Sequence, residues 1–247
     1  METLLLITAA FVASLLSGVY GMAGGLVLLA VYLMFLPTAK VMLLHGLVMF
    51  VACAGRAVIA RDQLLPSVLI TGAVMAPLLC WFFISHEVVL PKPLIYILVG
   101  ITSFIVWLPP SKFSIPVGKK RGASVPTAAS LIFTLSLGAA GPMIDAIFLQ
   151  SGLNRAKIMA NKAFLQVLAH GSKIIVYGGL TLLAPDALQS TYTPLLLGGS
   201  LVAALAGTWA GNHILQQMSE NFFTRTSRWL ISAIAVYYVV QGVMSLG

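Results

Sequence analysis

Ser17-Gly18-Val19-Tyr20-Gly21-Met22-Ala23-Gly24-Gly25 interrupts one apolar run, and Ser136-Leu137-Gly138-Ala139-Ala140-Gly141-Pro142 interrupts another. A shift of 117 positions, the distance from Gly21 to Gly138, also lays Gly24 on Gly141. The same shift lays Ala39-Lys40 on Ala156-Lys157, Met42 on Met159 and Ala52 on Ala169. An internal repeat decides the fold before any single element does, and here the matched glycines break the apolar pattern at the same place twice.

The material around the breaks belongs in a membrane. Of 247 residues, 60% are hydrophobic and 8% charged, against roughly 25% charged in a soluble domain. A chain so poor in charge cannot cover its surface in water. Its apolar residues fall in blocks of about 17 to 23, the length that crosses about 30 Å of hydrocarbon as a helix. The blocks lie at 4–20, 22–36, 41–60, 66–85 and 93–109, then at 124–137, 141–152, 157–177, 193–215 and 227–245. Between the two sets is a polar linker with Pro109-Pro110, Lys112, Gly118 and Lys119-Lys120-Arg121. The expected organisation is a first repeat over 1–110, a cytoplasmic linker over 111–123 and a second repeat over 124–247, all in one membrane domain.

The start, Met1-Glu2-Thr3-Leu4, lacks the positive stretch of a cleaved signal peptide, so the first block is expected to stay as structure. Cys53 and Cys80 lie inside apolar blocks without a CxxC spacing and read as small buried hydrophobes. The net charge of +8 sits mostly in loops, which fits membrane orientation rather than nucleic acid. No nucleotide-binding loop is present, which argues against ATP-driven transport by this chain alone.

Block 124–137 holds 14 residues and reaches about 21 Å, too short to cross squarely. Each glycine break is therefore either a kink in one crossing or the tip of a hairpin. Loop charge separates the readings. With hairpins and a cytoplasmic linker, nine loop cations (Arg61, Lys112, Lys119, Lys120, Arg121, Arg155, Lys157, Arg225, Arg228) face inward and two (Lys40, Lys92) outward. With single broken crossings the division is five to six. The positive-inside rule selects hairpins. Each half then has odd parity, the halves are inverted in the membrane, and both termini face outward. Short, glycine-interrupted segments at matching places in inverted repeats point to a transporter's binding site.

The chemistry at the breaks suits an anion. Each break is followed by a helix start, where free N–H groups and the positive dipole end gather. Candidate ligands are Gly21, Ala23, Gly24 and Gly25 at the first tip, and Gly138 and Gly141 at the second. The competing reading is close helix packing through glycine. On block 157–177, Lys162, Gln166, His170 and Lys173 share one face, and Asn161 lies beside them. Their counterparts on block 41–60 include His45 and Arg56, matched to Lys162 and Lys173. Ionisable groups inside spans are functional candidates, although Arg56, Lys162 and Lys173 are also near enough to block ends to snorkel. Asp145 is the lone acid inside a block. It either pairs with Lys162, or carries a proton in the transport cycle together with His45 or His170, or simply complements a helix N-terminus. Asn212 and His213 read as interfacial, and Gly207 with Gly211 as a packing face.

These features together resemble the TauE/SafE family of sulfite exporters, the toluene-sulfonate uptake permease group. The resemblance rests on the Ser-Gly-x-x-Gly-x-x-Gly-Gly start, a span, Ala-Lys and a further span, roughly repeated in the second half, and it covers most of the chain. It implies an all-α membrane bundle that moves a small anionic or zwitterionic sulfur compound (sulfite, thiosulfate, a sulfonate) across the cytoplasmic membrane without a cofactor. Direction is not implied. The chain departs from the pattern where Pro142 stands in place of Gly25 and Asp145 in place of Leu28. His45 stands where the resemblance leads one to expect a small or hydroxyl residue. The expected function is secondary transport by alternating access, not enzymatic. An anion channel with the same lining is one alternative, and a thiol-redox enzyme using Cys53 and Cys80 is another. The lipid bilayer is an expected partner, and a homo-oligomer is compatible with the sequence.

Overall fold

The computed structural model describes residues 1–21, 23–59, 61–107, 117, 120–148, 151–183 and 193–246. Within them the chain is helical, with no strand. The first half runs α1 (Glu2–Tyr20), α2 (Ala23–Phe35), α3 (Thr38–Ile59), α4 (Pro66–Ser85) and α5 (Lys92–Ser103). The second half runs α6 (Lys120–Leu137), α7 (Gly141–Phe148), α8 (Arg155–Leu183), α9 (Pro194–Gln217) and α10 (Glu220–Met244). Short 3-10 turns follow α3 at Arg61–Gln63 and α5 at Phe104–Trp107.

Among the described residues, four helices are long and apolar enough to cross a membrane: Glu2–Tyr20, Thr38–Val58, Pro66–Ser85 and Pro194–Gln217. Burial agrees with that setting. Only 28% of the apolar stretch of α4 is buried inside the protein, and Trp81, Trp209 and Trp229 are among the most exposed side chains. Meanwhile His45, Asn161, His170, Lys173 and several serines are buried. Apolar surface outward and polar groups inward is the arrangement that hydrocarbon rather than water selects.

Local chemistry explains the element boundaries. α1 stops because Gly21 takes φ 80, in the left-handed region, while its N–H bonds Ser17 O at 2.8 Å. α6 stops the same way at Gly138, with φ 91 and its N–H on Thr134 O at 3.1 Å. At the first break the chain reverses. Gly24 lies flat against Ala13 and Ser17 of α1, and Tyr32 of α2 bonds Leu6 O at 3.5 Å. Pro66 and Pro194 open α4 and α9 in the first turn, where a missing N–H costs little. Thr193 and Ser219 cap α9 and α10 through their hydroxyls.

Three boundaries correct the sequence reading. α6 begins at Lys120, so it has 18 residues rather than 14, and the last part of the 111–123 linker is helical. Backbone hydrogen bonding carries the helix past the end of the apolar run, because a polar first turn is compatible with helix. α7 is described over Gly141–Phe148, about 12 Å of helix, and Ser151 and Gly152 of the 141–152 block are outside any helix. α8 reaches 29 residues, well beyond the 157–177 block. The remaining linker cations Lys112 and Lys119 lie outside the described residues.

Helix pairing sets the core. α1 runs along α9, α3 along α8 and α5 along α10, with α4 against α6 and α8, and α3 against α9. The α1–α9 crossing is made by small residues. A methyl on Gly18 would meet Thr208 O at 2.8 Å, and methyls on Gly207 and Gly211 would run into Phe11 O and Leu15 O. This is the packing face expected of Gly207 and Gly211. Buried tyrosines tie the bundle across helices: Tyr238 donates to Leu26 O and Tyr177 to Leu135 O, each at 2.8 Å.

Candidate functional site

Two glycine turns and two helix starts meet at one cavity of about 30 Å³. About 10–15 Å³ suffices for one water, so the space suits a small polyatomic group. Ser17, Gly21 and Gly25 line it from the first tip, and Ala139, Ala140 and Gly141 from the second. Ser130 and Thr134 of α6, His45, Met49 and Cys53 of α3, and Lys162, Gln166 and His170 of α8 complete the wall with Ile144. Both the α2 and α7 N-termini therefore face the same space, the end of a helix that favours negative charge.

The long helices α3 and α8 supply the polar side chains because their spacings of three and four turn one face inward. Arg56 grips the first tip: Nη1 donates to Ser17 O at 2.9 Å, and Nη2 to Ser17 Oγ at 3.3 Å and Cys53 Sγ at 3.4 Å. Lys173 grips the second, its Nζ donating to Gly138 O at 3.0 Å. Both cations thus sit at a helix C-terminus, where the dipole is negative. Gln166 crosses between halves, accepting from the Cys53 thiol at 3.7 Å and donating to Gly21 O at 3.4 Å.

His45 Nε2 lies 2.8 Å from Gly25 O and Nδ1 lies 3.1 Å from Lys173 Nζ. A carbonyl only accepts, so Nε2 carries the proton, and Nδ1 accepts from the lysine. The His170 ring stands 5.5 Å from that of His45. His170 Nδ1 is buried and has no hydrogen-bond partner among the described residues. Lys162 is ion-paired with Asp145, one of the alternatives read for that acid, and both side chains are mostly buried at 15% and 21% exposure.

The candidate residues divide by position. Gly21, Gly25, His45, Gly141, Lys162, Gln166 and His170 line the cavity together. Arg56 and Lys173 stand one hydrogen bond behind that wall. Gly24 and Ala23 are buried at the start of α2, with Gly24 pressed on α1, and Gly138 contributes its carbonyl to Lys173 rather than lining the space. Asn161 points elsewhere. It accepts from Leu65 N at 3.0 Å and donates to Gln63 O at 3.2 Å and Lys157 O at 2.7 Å, stapling the start of α4 to α8. Cys53 and Cys80 are free, buried thiols. Cys53 is in the wall, whereas Cys80 bonds Ser172 O at 3.8 Å.

Ser17, Ser130 and Thr134 belong to the wall although charge and glycine spacing did not single them out. A signal existed: the 117-residue shift lays the hydroxyl of Ser17 on that of Thr134, and Ser130 is one turn earlier on the same face. Compared with family models, with curated proteins and with solved structures, the chain matches none.

Proposed function

We propose that this chain is a secondary transporter of a small sulfur-containing anion, working by alternating access between two inverted repeats. The observation that carries the anion is the charge around the cavity. Arg56, Lys162 and Lys173 are in its wall or one hydrogen bond behind it, and Asp145 is the one acid among them. Lys162 is matched by Asp145, while Arg56 and Lys173 meet only neutral acceptors. Basic groups at membrane depth without a matching acid are costly to charge, and an entering anion offsets that cost. The sulfur chemistry rests on the TauE/SafE resemblance alone.

The repeat reading draws support from helix pairing. Exchanging α1–α5 with α6–α10 in order turns the α1–α9 pair into α6–α4 and α4–α8 into α9–α3, and returns α3–α8 and α5–α10 to themselves. All of these pairs occur. Arg56 of α3 and Lys173 of α8 exchange as well, each donating to the end of the first helix of its own repeat's hairpin. In this reading both termini face outward, the 111–123 linker faces the cytoplasm, and the chain is a multi-pass protein of the cytoplasmic membrane. Helix N-termini, Lys162 and His170 replace water around the anion. Asp145, His45 and His170 are the groups placed to carry a proton with it.

Thermal unfolding of purified protein against sulfite, thiosulfate, sulfate, taurine, sulfoacetate and chloride tests the reading. A ligand at 100 times its Kd stabilises the folded state by about 2.7 kcal/mol. The expected result is a selective rise with one sulfur anion, lost in His170→Ala and Lys162→Ala. No rise with any of them, in protein shown to be folded, would remove the anion reading. Flux that saturates with concentration separates a transporter from a channel with the same lining.

A further inference from the structure

The two hairpin tips are joined by a hydrogen-bonded chain that neither repeat contains alone. Lys173 Nζ donates to Gly138 O at the second tip and to His45 Nδ1, and His45 Nε2 donates to Gly25 O at the first tip. Both side chains are fully buried. The carbonyls at the two ends belong to backbone beside the cavity.

We propose that Lys173 and His45 act as one strap, positioning residues that make the two tips move together. The geometry has three requirements. His45 must hold its proton on Nε2, because Gly25 O only accepts. Lys173 must be long enough to span from α8 to both partners. The strap must act in series, so that cutting it at either residue frees the first tip to the same extent. The inference stands on these bonds and needs no particular solute, so it survives or fails separately from the anion reading.

Hydrogen exchange, read by mass spectrometry in lipid nanodiscs without ligand, tests it on peptides covering 17–25 and 136–141. Lys173→Met is expected to speed exchange at least tenfold at both tips, including the first tip, to which hydrogen bonds among the described residues connect Lys173 through His45. Lys173→Arg, which keeps a long donor, is expected to restore most of the protection. The Lys173→Met, His45→Phe double variant is expected to exchange at the first tip no faster than either single variant. An effect of Lys173→Met confined to 136–141, or single effects that multiply in the double variant, would overturn the strap. Should the variants fail to fold, nitrogen-15 spectra of histidine-labelled wild-type protein decide. His45, identified as the signal that persists when His86, His170 and His213 are each replaced by Gln, must give a protonated Nε2 and an unprotonated Nδ1, and the opposite tautomer overturns the proposal.

Discussion

Arg56 and Lys173 do the same work in the two halves of the chain. Arg56 Nη1 donates to Ser17 O at 2.9 Å and Lys173 Nζ to Gly138 O at 3.0 Å, so each closes the C-terminal end of the helix that leads into a glycine turn. They differ in reach. The guanidinium holds two atoms of Ser17 and the Cys53 sulfur at once, whereas the ammonium holds one tip carbonyl and a histidine.

Arg56→Lys is therefore not conservative. One ammonium cannot keep both Ser17 contacts and the sulfur contact, since it lacks the planar fork. The expected loss is about 1–2 kcal/mol, a hydrogen bond or two to a charged group, with faster hydrogen exchange at 17–21. Unchanged stability and unchanged exchange would mean that the fork is not what holds this tip.

Lys162 and Asp145 form a mostly buried pair. Removing one partner of a buried pair costs about 3–5 kcal/mol, while replacing both with apolar residues is often neutral. Partial exposure puts this pair at the lower side, at about 2–4 kcal/mol for Lys162→Met or Asp145→Leu. The double variant is expected to recover most of that loss in chemical denaturation. Ligand binding should stay lost, because Lys162 lines the cavity.

The α1–α9 crossing gives a packing test with its own control. Gly211→Ala drives a methyl into the Leu15 carbonyl, and overpacking of this kind costs about 1–3 kcal/mol. Gly198 lies on the same helix with nothing within 4 Å of an added methyl. Gly198→Ala is expected to be neutral or to stabilise by up to about 1 kcal/mol. Equal thermal shifts in the two variants would sink the close-crossing account.

The thiols separate transport from redox chemistry. Cys80 bonds a backbone carbonyl, and Cys53 sits between Arg56 and Gln166. A Cys53→Ser, Cys80→Ser variant is expected to bind the anion within about threefold of wild type, since a hydroxyl accepts and donates in the same places. Abolished activity with intact binding would instead favour the thiol-redox alternative.

Much of this was legible in the sequence because it is local. A φ near 80 or 90 needs glycine, so the turns at Gly21 and Gly138 announce themselves. Apolar composition and helical spacing put Lys162, Gln166, His170 and Lys173 on one face whatever that face meets. Helix ends were less legible: α6 starts in the charged residues at Lys120, where hydropathy sees only linker.

What the sequence by itself determined, then, is an apolar helical chain with two glycine breaks at matched positions and basic residues matched on the helices that follow. What only the tertiary structure decided is the occupation of each polar atom. Asn161 and Lys162 are neighbours in the chain, yet one staples the start of α4 and the other faces the cavity. The bond from Lys173 to His45 spans 128 positions. Contacts of that range depend on how α3 and α8 cross, and the crossing is set by packing over the whole length of both helices, which no local pattern encodes.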